Sequence, residues 1–155
     1  MKPQSLEYFN YNRYIYGHSG VWTFYEDGGP VSGLMASCRV PEDGDRFASQ
    51  VDLLTPMTWE KCAVWSGTEV GRRGGDYEAM KGRVADECIR LAERVMPGLR
   101  GWVSECYTST PLTYRDYTGA PGGRPTVCAR IIGIRWLPCC PSVHQCRTCS
   151  SPDRT

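Results

Sequence analysis

Residues 76–96 read DYEAMKGRVADECIRLAERVM, and this stretch decides the fold. Tyr77, Met80, Val84, Cys88, Leu91 and Val95 recur at steps of three or four, which places them on one stripe of an amphipathic helix. Asp76 is placed to accept hydrogen bonds from the free amides of the first turn. Glu78 suits the positive end of the helix dipole, and Pro97-Gly98 stops the helix. A stripe of this kind needs an apolar sheet to cover.

The residues upstream offer that sheet. YFNYNRYIY at 8–16 is aromatic and β-branched enough for a strand, with Tyr8, Asn10, Asn12, Tyr14 and Tyr16 on one face and Phe9, Tyr11, Arg13 and Ile15 on the other. VWTFY at 21–25 reads as a second strand, and EDGGP at 26–30 as a turn. VSGLMASCRV returns as a third strand, PEDGD turns again, and ASQVDLLT follows until Pro56 breaks it. Thr58 is placed to cap a short helix, WEKCAVWSG, ended by Gly67. Downstream of the long helix, WVSECYTST at 102–110 reads as a final strand, and TSTPLTYRDYTG as a shaped loop. Short turns among early strands imply an antiparallel sheet covered by helices on one face, an α+β architecture with an irregular tail.

At 155 residues, with 41% hydrophobic and 23% charged, the chain has room for one real core. The net charge of +1 hides a split: residues 1–119 carry 13 Lys+Arg against 16 Asp+Glu, whereas 120–155 carry five Arg and the single acid Asp153. The acidic body argues against nucleic acid as a partner. No apolar run approaches the length of a membrane span, and the start lacks the apolar stretch of a signal peptide. The expected location is therefore cytoplasmic, with attachment to the periphery of a membrane also open. Cys38, Cys62, Cys88 and Cys106 are expected as packed thiols rather than disulfides.

Few residues speak for chemistry on their own. GRRGGDYE at 71–78 could hold an anion on free amides, but a solvated helix start with glycines for turn geometry explains it more simply. No G-x-G-x-x-G or G-x-x-x-x-G-K-[ST] occurs anywhere. The loop at 108–119 brings the hydroxyls of Thr108, Ser109 and Thr110 near Arg115, Asp116, Tyr114 and Tyr117, a set that can position a ligand or satisfy its own backbone. Only His18 and His144 exist, neither in a recognisable triad, so no catalytic base can be named. The tail CCPSVHQCRTC contains one C-x-x-C, Cys146 and Cys149, beside Cys139, Cys140 and His144. An adjacent Cys-Cys lacks the usual spacing for two ligands of one zinc, and no metal ligand is assigned. A small zinc-binding or protein-interaction module using this tail is the alternative reading.

NYNRYIYG, MTWEKCAVW, GRRGGDYEAMK, MPGLRGWV and above all YTSTPLTYRDYTG together resemble the late part of the phytoene desaturase/carotenoid isomerase/retinol saturase family. These are FAD-dependent oxidoreductases acting on long polyenes, and the resemblance covers roughly residues 8 to 121. It implies that residues 1–121 are a partial substrate-binding domain whose end lies close to the flavin. The family's dinucleotide-binding half precedes this region, so FAD is expected in the full-length relative and not on this chain, which is expected to be inactive alone. An apolar polyene or isoprenoid is the implied substrate. Tyr8, Tyr14, Tyr16 and Trp22 are then candidates for its apolar wall, and Thr110, Tyr114, Arg115 and Tyr117 for polar positioning near the flavin.

The same resemblance bears on residues 122–155. Family members continue after the loop with a segment like G-S-A-Y-G-x-R-K-D. Codons for residues 124 onward, taken one base earlier, permit S-A-Y-G-V-R-K-D-Y-R-N-P-L-A-T and then R-T-P-V-P-N-L-L-L-T-G-Q. From about Arg124 to Thr155 the chain is therefore expected to be a disordered, out-of-frame tail, and the whole a fragment.

Overall fold

The computed structural model describes residues 6–17, 30–41, 44 and 46–119, together with the backbone of Cys128–Arg135. Five strands and four helices follow in chain order among these residues: β1 (Arg13–Tyr16), β2 (Gly33–Cys38), β3 (Val51–Pro56), α1 (Glu60–Ala63), α2 (Gly75–Ala92), α3 (Leu99–Trp102), β4 (Glu105–Ser109), α4 (Pro111–Thr118) and β5 (Cys128–Arg135). The strands lie in the order β1-β2-β3-β5-β4, each pair antiparallel. The α+β architecture and antiparallel sheet agree with the sequence reading. The expected strand at 21–25, with Trp22, lies outside the described residues, as do His18 and residues 136–155.

Alternation decides which face is covered. Ile15 pairs with Leu34, and Ala36 with Leu53, so their side chains share one side of the sheet. All four are buried, together with Val51. Against this face α2 lays Ala85, Cys88, Ile89, Leu91 and Ala92, and Met96 and Leu99 continue the same core beyond the helix. The two alanines add no bulk between helix and sheet. Thr55, also buried, donates its hydroxyl to the Gly33 carbonyl at 2.8 Å, so its polar atom enters the core satisfied.

Several boundaries differ from expectation, each for a local reason. Only Arg13–Tyr16 of the stretch 8–16 is a strand. The residues before it pair instead with 46–48, through Tyr8 N–H to the Arg46 carbonyl at 2.9 Å and Ala48 N–H to the Leu6 carbonyl at 2.9 Å. The helix α2 begins after Gly74, whose φ of 83° only glycine adopts easily, so Asp76 sits inside the first turn and is not the cap. It ends at Ala92. The chain keeps winding to Met96, with Val95 and Met96 both donating to the Ala92 carbonyl, and Val95 turns outward at 45% exposure. In α1 the residue at the cap is Trp59 rather than Thr58, and winding continues past Gly67 through Thr68 N–H to the Trp65 carbonyl. Where an irregular tail was expected, the backbone of Cys128–Arg135 runs as β5 between β3 and β4.

The largest correction concerns the loop at 108–119, because Pro111–Thr118 is helical. Thr110 and Thr113 form a capping box, in which Thr113 Oγ1 accepts from the Thr110 amide at 3.2 Å. Pro111 occupies the first turn, where its missing N–H costs nothing, and Gly119 closes the helix in the left-handed region at φ 68°.

Candidate functional site

The helix α4 rests on a second, smaller core formed by Met57, Cys62, Tyr77, Met80 and Leu112, with Trp59 and Trp65 at its margin. Tyr77 leaves the first turn of α2 and meets Trp65 edge-on at 5.4 Å between ring centroids. Its hydroxyl lies 2.7 Å from Thr110 Oγ1, both groups buried. A phenol and a threonine hydroxyl thus satisfy each other in a place closed to water.

Around that contact runs a chain of charge. The side chain of Arg73, only 5% exposed, donates one guanidinium nitrogen to Asp116 and the other to the Tyr77 hydroxyl at 3.2 Å. Arg115 donates Nε to the second carboxylate oxygen of Asp116 at 2.9 Å, and another nitrogen to the Ser66 carbonyl at 2.8 Å. Its guanidinium also lies 5.5 Å over the Trp59 ring. Partial burial alone would raise the Asp116 carboxyl. The hydrogen bond from Arg115 and the charges of Arg73 and Arg115 outweigh it and hold the group below the usual carboxylate range. One polar atom stays unmatched among the described residues: Arg73 Nε is buried with no partner.

The sequence candidates therefore divide. Thr110 and Arg115 come together here, joined by Arg73, Tyr77 and Asp116, but both spend their polar atoms holding α4 in place. Tyr114 is half-buried on the same helix, and Tyr117 is open at 76% exposure. Tyr14 and Tyr16 stand elsewhere. They are on β1, at the opposite end of the strand order from β4, with 63% and 41% exposure, while Ile15 between them points into the core. Tyr8 is off that strand. Arg73 and Tyr77 were not picked out as site residues. Nothing local in the sequence pairs Arg73 with Asp116, 43 positions away.

Among the described residues no thiol with a lowered pKa accompanies the cluster. Burial pushes the thiols of Cys38 and Cys62 up, and that of Cys88 up to about 12. Cys38, Cys62, Cys88 and Cys106 form no disulfide, as expected, and Cys62 and Cys88 are fully buried. Among the described residues no group of His, Cys, Asp and Glu could hold a metal ion, and the cysteine-rich tail lies outside them. No helix among them is long and apolar enough to cross a membrane.

Comparison with known proteins adds one likeness. The chain is 33% identical over 89 residues to the all-trans-retinol 13,14-reductase of Macaca fascicularis, a stretch that is 56% of this chain and 15% of that protein. Identity is 32% to the Homo sapiens protein of the same name and 30% to that of Rattus norvegicus, again over 89 residues. No protein-family profile matches, and neither does any solved structure. The chain spans about 15% of the length of these curated relatives, and over that part it is similar to retinol-saturase-like oxidoreductases.

Proposed function

We propose that this chain is the substrate-side portion of a FAD-dependent oxidoreductase that acts on a carbon–carbon double bond of a polyene or isoprenoid. The observation that carries the reading is the 30–33% identity over 89 residues to all-trans-retinol 13,14-reductases. The geometry supports a division of labour. Tyr14 and Tyr16 offer aromatic surface on the side of β1 away from the core, suited to an apolar chain; Trp22, outside the described residues, stays a candidate from the sequence alone. Tyr117, the most open tyrosine of α4, is the residue to meet a polar end. Tyr114 lies beside it, and Thr110 and Arg115 act as positioning residues that fix the helix.

The described residues do not fit the phosphates of a dinucleotide. No G-x-G-x-x-G precedes α2, so the turn that brings a backbone up against a pyrophosphate is missing there. Arg73, the buried cation of this region, already has both terminal nitrogens engaged, one of them by a carboxylate. A flavin, when held, would supply the hydride chemistry, while the protein binds and orients the substrate. We propose that its binding residues belong to the rest of a longer protein and that this chain alone neither holds FAD nor turns over substrate. On the same reading, residues from about Arg124 onward are out of frame.

The test begins with the DNA on both sides of the reading frame. An upstream G-x-G-x-x-G after a strand, and a frame that restores the T-G-Q segment, are expected. The extended, repaired product should bind flavin and change the absorbance of a conjugated polyene, whereas the 155-residue chain should purify colourless. A repaired product without flavin, or one that leaves polyenes unchanged, would refute the assignment.

A further inference from the structure

A cleft of about 250 Å³ opens between the end of β3, α1 and one side of α2. Met80, Arg83, Val84 and Glu87 line it from α2 at the spacing that puts residues on one helix face. Pro56 and Met57 close it from β3, and Lys61 reaches it from α1. The walls are of two kinds. Met57 and Met80 are buried and apolar, with Pro56 and Val84 partly covered beside them, whereas Lys61 and Arg83 are exposed. Thioether side chains adapt to the shape of an apolar guest.

The charges narrow the choice of guest. Neither Lys61 nor Arg83 is in an ion pair among the described residues. Glu87 also lines the cleft, but its carboxylate is engaged, accepting the Val31 amide at 2.8 Å. Two cations and one anion leave the cleft one positive charge in excess. A singly charged anion neutralises it, and a doubly charged phosphate would overshoot against Glu87. A neutral alcohol would leave both cations without a partner. Pockets for drug-sized molecules begin at roughly 300 Å³, so this one suits a short apolar chain or the end of a longer one.

We propose that the cleft binds an amphipathic carboxylate, its head between Lys61 and Arg83 and its hydrocarbon against Met57, Met80 and Val84. The site is independent of the redox assignment, since it requires neither flavin nor turnover.

The experiment titrates octanoate, octanol and octyl phosphate into the full chain carrying carbon-13 methionine methyls. Octanoate is expected to shift the Met57 and Met80 methyl signals and to bind more tightly than the other two. Because Lys61 and Arg83 are exposed, the double variant Lys61→Gln/Arg83→Gln should keep the fold. It should weaken octanoate about three- to tenfold and leave octanol within about twofold, the range expected of two solvent-facing charges. Unmoved methionine methyls would overturn the proposal, as would octanol binding as tightly as octanoate or full affinity in the double variant. Tighter binding of octyl phosphate would overturn the choice of a monoanion.

Discussion

Beneath the middle of α2 the chain packs Ile15, Leu34, Leu53, Ile89 and Leu91, a core with hardly a polar atom. Beneath the first turns of the same helix it packs Tyr77, Met80, Leu112 and Cys62, and surrounds them with Thr110, Arg73, Asp116 and Arg115. The first region is held by area removed from water, which needs only roughly complementary shapes. The second is held by groups that must each find a particular partner, because an unmatched buried polar atom costs more than a matched one returns. The residues that look most like a ligand site in the sequence are thus largely the means by which a short helix is fixed to its neighbour. Polar richness alone does not separate a binding loop from a polar clamp.

Four measurements can break or sharpen that contrast. The largest effect belongs to the apolar core. Leu53→Ala should cost about 2–5 kcal/mol in thermal or denaturant unfolding, and a loss under about 1 kcal/mol would show that the sheet is not held as described. Next comes the buried hydroxyl pair. Tyr77→Phe and Thr110→Val should each cost about 1–3 kcal/mol, since both lose their shared hydrogen bond, Tyr77→Phe also the contact of Arg73 and Thr110→Val also the cap of α4, and the double variant should cost less than the two added together. Strict additivity would mean that the hydroxyls do not depend on each other.

Third is the ion cluster. A double-mutant cycle on Arg73→Gln and Asp116→Asn should return a coupling of about 0.5–3 kcal/mol. The folded-state pKa of Asp116 is lowered, so its contribution is complete above the ordinary aspartate range and is lost as the pH falls through the folded value. Acid unfolding of Asp116→Asn should therefore be less steep than that of the parent chain. An identical acid profile would remove the cluster from the account of stability.

The smallest effect is in the apolar core again. Cys88 is raised from the ordinary thiol value of 9.0 to about 12, first by burial and then by the neighbouring charge of Glu87. The unfolded chain gives up this proton first, so stability is full below pH 9.0 and declines as the pH climbs towards 12. Between pH 8 and pH 10 the parent should lose about 1 kcal/mol more than Cys88→Ala does, since the raised thiols of Cys38 and Cys62 contribute to both. Iodoacetamide at pH 8 should leave native Cys88 untouched, and rapid alkylation would show that the thiol is not enclosed.

What was legible follows from the range of the interactions. The steps of three and four through Tyr77, Met80, Cys88 and Leu91 announce α2, and strand-forming runs set off by turn residues and Pro56 announce β2, β3 and β4, because both signals are local. The capping threonines, Pro111 and Gly119 of α4 were equally local. The tyrosines, hydroxyls and charges around them mask that signal by resembling a ligand loop. α3 is only four residues long and carries no periodic signal. The meeting of Arg73 with Asp116, and of Lys61 with Arg83 around one cleft, depends on how distant elements dock, which no window of sequence contains.

The corner after α2 shows how narrow such docking can be. Gly98 stands at φ 86°, and a Cβ placed there would come within 3.3 Å of the Trp102 ring. Any other amino acid meets a backbone penalty and a tight contact at once, so neither a smaller ring at 102 nor an asparagine at 98 relieves both. The bend that returns the chain from helix to sheet therefore turns on a residue with no side chain, set directly before the fully buried Leu99.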